Sequence, residues 1–137
     1  MATNILRFVI PKSLVQYISS DSTVRQALEK MLYHKYSAMP VIANDGKYIG
    51  TLRSDDIFKF FLSNGSFDIT DAEDCMVMDI LNPSASKPLF HNATIKDLIE
   101  EVKEHNLVSV VDDRGCFIGL ILRRDILNFL SKDFKDE

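Results

Sequence analysis

The chain has 137 residues, 46% of them hydrophobic and 26% charged, with a formal net charge of −4. That balance fits one compact soluble unit and argues against a dedicated nucleic-acid binder, which carries a basic excess or stripe. No apolar run approaches the roughly 20 residues of a membrane span, and the opening MATNILRFVIPKS lacks a basic region and a cleavage site. The expectation is a cytoplasmic protein with no nucleic-acid and no membrane partner. Cys75 and Cys116 have no metal-ligand spacing and read as buried thiols in a reducing compartment.

Residues 1–19 form an N-terminal arm. Pro11 breaks any helix within ILRFVIPKSLVQYI, which leaves one or two short extended pieces. Such an arm has too little core of its own and should pack on the body or on a partner subunit. Thr23 followed by Gln26 fits a capping box. Val24, Ala27, Leu28, Met31 and Leu32 then recur at helical spacing, predicting a helix that stops near His34. Met39–Ile42 reads as a short buried strand, Asn44-Asp45-Gly46 as a turn, and Tyr48–Leu52 as the returning strand. A helix carrying Ile57, Phe58, Phe60, Phe61 and Leu62 begins at Ser54 or Asp55. Residues 20–65 are thus a helix–hairpin–helix unit.

Residues 66–90 connect this unit to the next. Asp68, Asp71, Glu73, Asp74 and Asp79 read as a solvated face around a short helix ending near Leu81. Asn82–Pro88, with two prolines and two serines, reads as a linker. The second unit, residues 91–131, repeats the pattern. Thr94 is its N-cap, and Ile95, Leu98, Ile99 and Val102 form its stripe. Val108–Val111, Asp113-Arg114-Gly115 and Phe117–Leu122 form its hairpin, and a last helix opens at Asp125. Residues 132–137 are a charged tail.

The repetition is in register. Gly46, Gly50 and Asp56 match Gly115, Gly119 and Asp125, with the same spacings of 4 and 6 residues. Thr23 to Gly46 spans 23 residues but Thr94 to Gly115 only 21. The shortening falls before the first strand, where Tyr36-Ser37-Ala38 of the first unit faces only Leu107 in the second. His34 and His105 occupy matching helix ends, where a histidine interacts with the helix dipole. Met31, Met39, Met76 and Met78 read as core or interface packing.

A doubled helix–hairpin–helix unit with Gly and, six residues on, Asp resembles the CBS domain, which occurs in tandem pairs known as Bateman modules. The resemblance covers Ser20 to Leu130. It implies an α+β fold, a tandem CBS-domain pair whose two repeats pack with pseudo-twofold symmetry and leave two clefts. The family often carries Thr or Ser three residues after the Gly; Arg53 and Leu122 stand there instead. The arm FVIPKSLVQYI, the segment Tyr-Ser-Ala-Met-Pro-Val, the shortened second unit and Leu122-Arg123-Arg124-Asp125 look like the stand-alone cyclic di-AMP-binding CBS proteins of Gram-positive bacteria.

That resemblance implies a regulatory protein without a catalytic cofactor. Its ligand would be an adenine nucleotide, cyclic di-AMP first and AMP, ADP or ATP as the alternative. Its partners would be a second copy in a homodimer and an unidentified regulated protein. A scaffolding CBS dimer with no specific ligand is the other reading. No P-loop, G-x-G-x-x-G or G-x-S-x-G motif points to an enzyme. The apolar helix residues Phe58, Phe60, Phe61, Leu127, Phe129 and Leu130 also suggest a dimer.

One cleft would combine Leu14, Gln16, Tyr17, Tyr36, Ser37 and Ala38 with Leu122, Arg123, Arg124 and Asp125. Adenine needs an apolar slot with backbone hydrogen bonds. Phosphate suits the guanidinium fork and a helix N-terminus behind it. Taken alone, Arg123 and Arg124 read first as a surface pair neutralised by Asp125; the repeat context reverses this in favour of a ligand role for Arg123. The other cleft would join Arg53, Ser54 and Asp56 to Leu107–Ser109 and is expected to be closed or degenerate.

Overall fold

The computed structural model describes residues 4–83 and 85–132. Its strands are β1 (Ile10–Pro11), β2 (Ile18–Ser19), β3 (Ala38–Ile42), β4 (Tyr48–Arg53), β5 (Leu89–Phe90), β6 (Leu107–Val111) and β7 (Phe117–Leu122). Its α-helices are α1 (Val24–His34), α2 (Ser54–Asn64), α3 (Val77–Ile80), α4 (Ile95–Glu104) and α5 (Arg123–Ser131). Short 3-10 turns cover Ile5–Phe8, Lys12–Leu14 and Ile69–Glu73. The class is α+β, as expected, and the elements gather into two compact units.

The first-repeat unit spans Gln16–Ser86. Thr23 accepts from the Gln26 N–H while the Gln26 side chain accepts from the Thr23 N–H, so the capping box is closed in both directions. β3 and β4 pair antiparallel from Ala38↔Arg53 to Ile42↔Tyr48, with an irregularity between Val41 and Ile42. β2 adds a parallel strand beside β3. Val24, Ala27 and Met31 of α1 and Ile57 and Phe61 of α2 share one core with Met39, Val41 and Leu52 of the sheet. Ala72, Val77 and Leu81 join it from the connector. Three of the connector's acids cap turns or form an ion pair. Asp68 accepts from the Thr70 N–H, Asp79 from the Met76 N–H, and Glu73 pairs with Arg25.

The second-repeat unit joins residues 4–15 to residues 87–132. β6 and β7 pair from Leu107↔Leu122 to Val111↔Phe117, with an irregularity between Val110 and Val111 that copies the first hairpin. β5 lies parallel to β6, as β2 lies to β3. Thr94 and Asp97 close the capping box of α4. Leu98, Val102, Val108, Val110, Ile121 and Ile126 make the core.

Residues 4–15 of the N-terminal arm belong to this second-repeat unit, whereas residues 16–19, with β2, belong to the first-repeat unit. Ile5 is fully buried in its core. β1 pairs antiparallel with β7, Ile10 opposite Leu120 and Pro11 opposite Gly119, at the edge of the sheet where a proline is tolerated. A Cβ at position 119 would stand 2.2 Å from the Ile10 carbonyl oxygen, so only glycine lets the arm lie this close. The Phe8 ring meets Phe129 of α5 edge-on, and the Arg7 guanidinium lies 4.8 Å from the Phe129 ring centroid.

The two-residue difference between the repeats has a structural cause. α1 ends on Lys35 in the left-handed conformation (φ 60°), and the Tyr36 N–H returns to the Met31 carbonyl. This is a Schellman-type stop. α4 instead leaves directly into extended backbone at His105 (φ −133°). His34 stacks on Tyr36 and meets Tyr33 edge-on.

Two expectations need correction. α5 opens at Arg123, not Asp125, with Leu122 as its N-cap. Both cysteines are half-buried, not buried. Met31 and Met39 are in the core, but Met76 and Met78 are on the surface. Of the charged tail, residues 133–137 lie outside the described residues.

Candidate functional site

In the second-repeat unit, the exit of α4 and the start of α5 border an open hollow of about 420 Å³ lined by Asn106, Leu122, Arg123, Arg124, Leu127 and Asn128. Three of the predicted site residues, Leu122, Arg123 and Arg124, come together here, and Asp125 follows on the same helical turn. Leu14, on the turn Lys12–Leu14 of the same unit, is largely exposed.

The two arginines do different work. Arg123 is half-buried, its Nε donates to the Val102 carbonyl at 2.7 Å, and its backbone N–H donates to the Asn106 carbonyl at 2.9 Å. Val102 lies in the last turn of α4, where helical carbonyls lose their intrahelical partners. Arg123 therefore holds the end of α4. The Arg124 side chain is 76% exposed, and its Nε stands 3.9 Å from Asp125 Oδ1. At that distance and exposure the pair is weak, and the Arg124 guanidinium is open to an anion.

The two matching aspartates also differ. Asp56 accepts from the Arg53 N–H at 2.9 Å and so caps α2. α5 has no side-chain N-cap, and Asp125 makes only the long contact with Arg124. Its carboxylate keeps acceptor capacity for hydroxyl groups, which Asp56 has partly spent. The uncapped first turn adds backbone N–H groups and the positive end of the helix dipole. Cationic, hydrogen-bonding and apolar groups in one hollow suit a phosphate ester with a flat apolar body.

The other predicted residues lie in the first-repeat unit. Tyr17 precedes β2, and its carbonyl accepts from Lys30. Gln16, Tyr36 and Ser37 are exposed, while Ala38 opens β3 and is buried. The Ser37 carbonyl accepts from the Ser54 N–H at 2.9 Å. In the segment expected to form a closed cleft, Arg53 donates to Ser86 Oγ at 2.7 Å.

Sequence reasoning missed Asn106, Leu127 and Asn128. The last two were findable, since they stand four residues after Arg123 and Arg124 and share their helical face. Arg53 and Leu122 are matching N-caps, so the counterpart of Arg123 is Ser54. Among the described residues, no group of three or more His, Cys, Asp or Glu side chains could hold a metal ion. No helix among them is long and apolar enough to cross a membrane.

A family model described as CBS domain matches residues 9–63 and again residues 78–132. The magnesium and cobalt efflux protein CorC of Pasteurella multocida is 26% identical over 132 residues, which cover 94% of this chain but 41% of that protein. The chain therefore spans well under half the length of that relative. Among solved structures, CbpB in complex with c-di-AMP superposes with a TM-score of 0.84 at 23% identity, covering 98% of this chain and 91% of that one. CBSX2 in complex with AMP superposes with a TM-score of 0.75 at 21% identity, covering 96% of this chain and 98% of that one.

Proposed function

The chain belongs to the CBS-domain family, and from that premise we propose that it senses an adenine nucleotide, cyclic di-AMP first, and passes the signal to a partner protein by contact. The observation that carries this reading is the hollow at the start of α5, with an open arginine, an uncapped helix terminus and a carboxylate not used as a cap. Leu122, Arg123, Arg124 and Asp125 would take phosphate and ribose. Leu14, Gln16, Tyr17, Tyr36, Ser37 and Ala38 would supply the adenine slot.

The choice of cyclic di-AMP draws support from CbpB, whose structure holds that nucleotide. A sensor of AMP, ADP or ATP is the second reading, since CBSX2 holds AMP. The proposal assigns no catalysis and takes the working form to be a homodimer.

A thermal-shift panel of cyclic di-AMP, AMP, ADP, ATP, S-adenosylmethionine and cyclic di-GMP tests it. A ligand that binds only the native state must raise the melting temperature. Cyclic di-AMP should give the largest rise. A larger rise with AMP or ATP would transfer the reading to those nucleotides. No rise with any of them would favour a scaffold without a ligand.

A further inference from the structure

The N-terminal arm holds α5 at two places that bracket the helix start. Ahead of the helix, β1 lies on β7 with Ile10 opposite Leu120, two residues before the N-cap Leu122. Further along α5, the Phe8 ring meets Phe129 edge-on with centroids 5.1 Å apart. The Arg7 guanidinium lies 5.2 Å from the Phe8 centroid and 4.8 Å from that of Phe129. Residues 122–125, to which the nucleotide reading gives phosphate and ribose, run between these two attachments. The arm's next turn, Lys12–Leu14, lies against β7 and carries Leu14, given to the adenine slot.

The first repeat has no such device, and it does not need one. Its sheet ends at β4, with no strand beyond it among the described residues. A Cβ at Gly50 would meet nothing closer than 3.2 Å, whereas at the matching Gly119 it would stand 2.2 Å from the Ile10 carbonyl oxygen. The start of α2 is fixed from within, since Asp56 accepts from the Arg53 N–H. The start of α5 has no side-chain cap. The arm therefore lies on the one repeat whose helix start is not held by its own residues.

The arm is also lightly fastened. β1 is two residues long, and of residues 5–11 only Ile5 is fully buried. A terminal segment tied down by so few groups opens at lower free energy than the sheet it lies on.

We infer that the N-terminal arm is a strap that sets the affinity of the proposed nucleotide site. Docked, it fixes the start of α5 and brings Leu14 to β7. Released, it leaves both unheld. This is regulation of the proposed site and rests on that reading. A nucleotide that binds the docked form better must hold the arm down by the same factor that the docked arm tightens the nucleotide. Occupancy of the site is thereby read out as cover or exposure of the β7 edge and of Ile5, and an uncovered strand edge is a surface for another chain.

Hydrogen exchange on the intact wild-type chain, with and without saturating cyclic di-AMP (or AMP if that binds more tightly), is the first test. The nucleotide should slow exchange at the amides of residues 5–10, none of which is given to the ligand, by about tenfold. Calorimetry then compares wild type with Phe8→Ala, Gly119→Ala and Thr94→Ala. The last removes the N-cap of α4 and controls for a general loss of stability. A variant whose arm is docked in about one molecule in ten binds about tenfold more weakly. Phe8→Ala and Gly119→Ala should each show a loss of that order, and Thr94→Ala should bind as the wild type does. If Gly119→Ala fails to fold, Phe8→Ala and the exchange experiment decide. Arm exchange that ignores the nucleotide, or wild-type affinity in Phe8→Ala, would overturn the strap and leave nucleotide sensing standing. An equal loss in Thr94→Ala would show that affinity follows overall stability, which also overturns the strap. A wild-type chain that binds no adenine nucleotide would overturn the nucleotide reading and the strap with it.

Discussion

Arg123 Nε donates to the Val102 carbonyl at 2.7 Å, so the first residue of α5 closes the last turn of α4. The bond ties together the two elements that shape the hollow. Arg123→Ala is therefore expected to destabilise the fold by about 1.5–3 kcal/mol, the worth of a hydrogen bond to a charged group. Urea unfolding should show a lower midpoint with an unchanged slope. An unchanged midpoint would mean that this bond stabilises nothing in solution.

Arg124 separates binding from stability. Its side chain is 76% exposed and only loosely paired with Asp125, so Arg124→Ala should leave stability within about 0.5 kcal/mol of wild type. Losing one charge-assisted phosphate contact should weaken nucleotide binding by about 10- to 150-fold. Ser54→Ala, the counterpart of Arg123 in the first repeat, is the control and should leave affinity near wild type. Calorimetry on the three proteins reads this directly, and a larger loss in the Ser54 variant would place phosphate elsewhere.

The repeat was legible in the sequence because its signals are local. The capping box at Thr23, the N-cap at Thr94, helical stripes, and glycine turns at Gly46 and Gly115 each announce themselves within a few residues. What was hidden depends on partners distant in sequence. Nothing around Ile10 marks it as the neighbour of Leu120. Nothing beside Arg123 reveals Val102, which lies a whole hairpin earlier in the chain. In the site the arginines were visible as a pair, but their roles follow from burial, which the dipeptide does not encode. Asp56 and Asp125 look equivalent in register, yet of the two only Asp56 accepts the N–H of its helix's N-cap residue among the described residues.

Gly119 should be intolerant of a side chain. Its Cβ would stand 2.2 Å from the Ile10 carbonyl oxygen and 2.5 Å from Val9 Cγ1. Overpacking of this kind costs about 1–3 kcal/mol, and Gly119→Ala is expected to release the arm first. Hydrogen exchange should speed up at the arm's amides more than in the hairpin β6–β7. Uniform acceleration would show that arm and sheet unfold as one.

The second hairpin turn should titrate. Asp112 Oδ1 accepts from the Cys116 and Arg114 N–H groups, both at 2.9 Å. The Cys116 bond is the main cause that holds its carboxyl below the usual carboxylate range, and desolvation only partly opposes it. A lowered folded pKa means that the charge stabilises the fold above the unfolded value of about 3.9. That contribution is lost as pH falls through the folded pKa. Asp112→Asn should thus be less stable than wild type at neutral pH, and the gap should close on acidification below about pH 4. A gap that widens in acid would contradict this assignment.

The most direct test of nucleotide sensing is calorimetric titration of cyclic di-AMP into the intact chain. The account predicts saturable binding of one nucleotide per chain, because only the second repeat leaves its helix start uncapped and its aspartate open. Two equal sites per chain, or no saturable heat with cyclic di-AMP or any other adenine nucleotide, would contradict it.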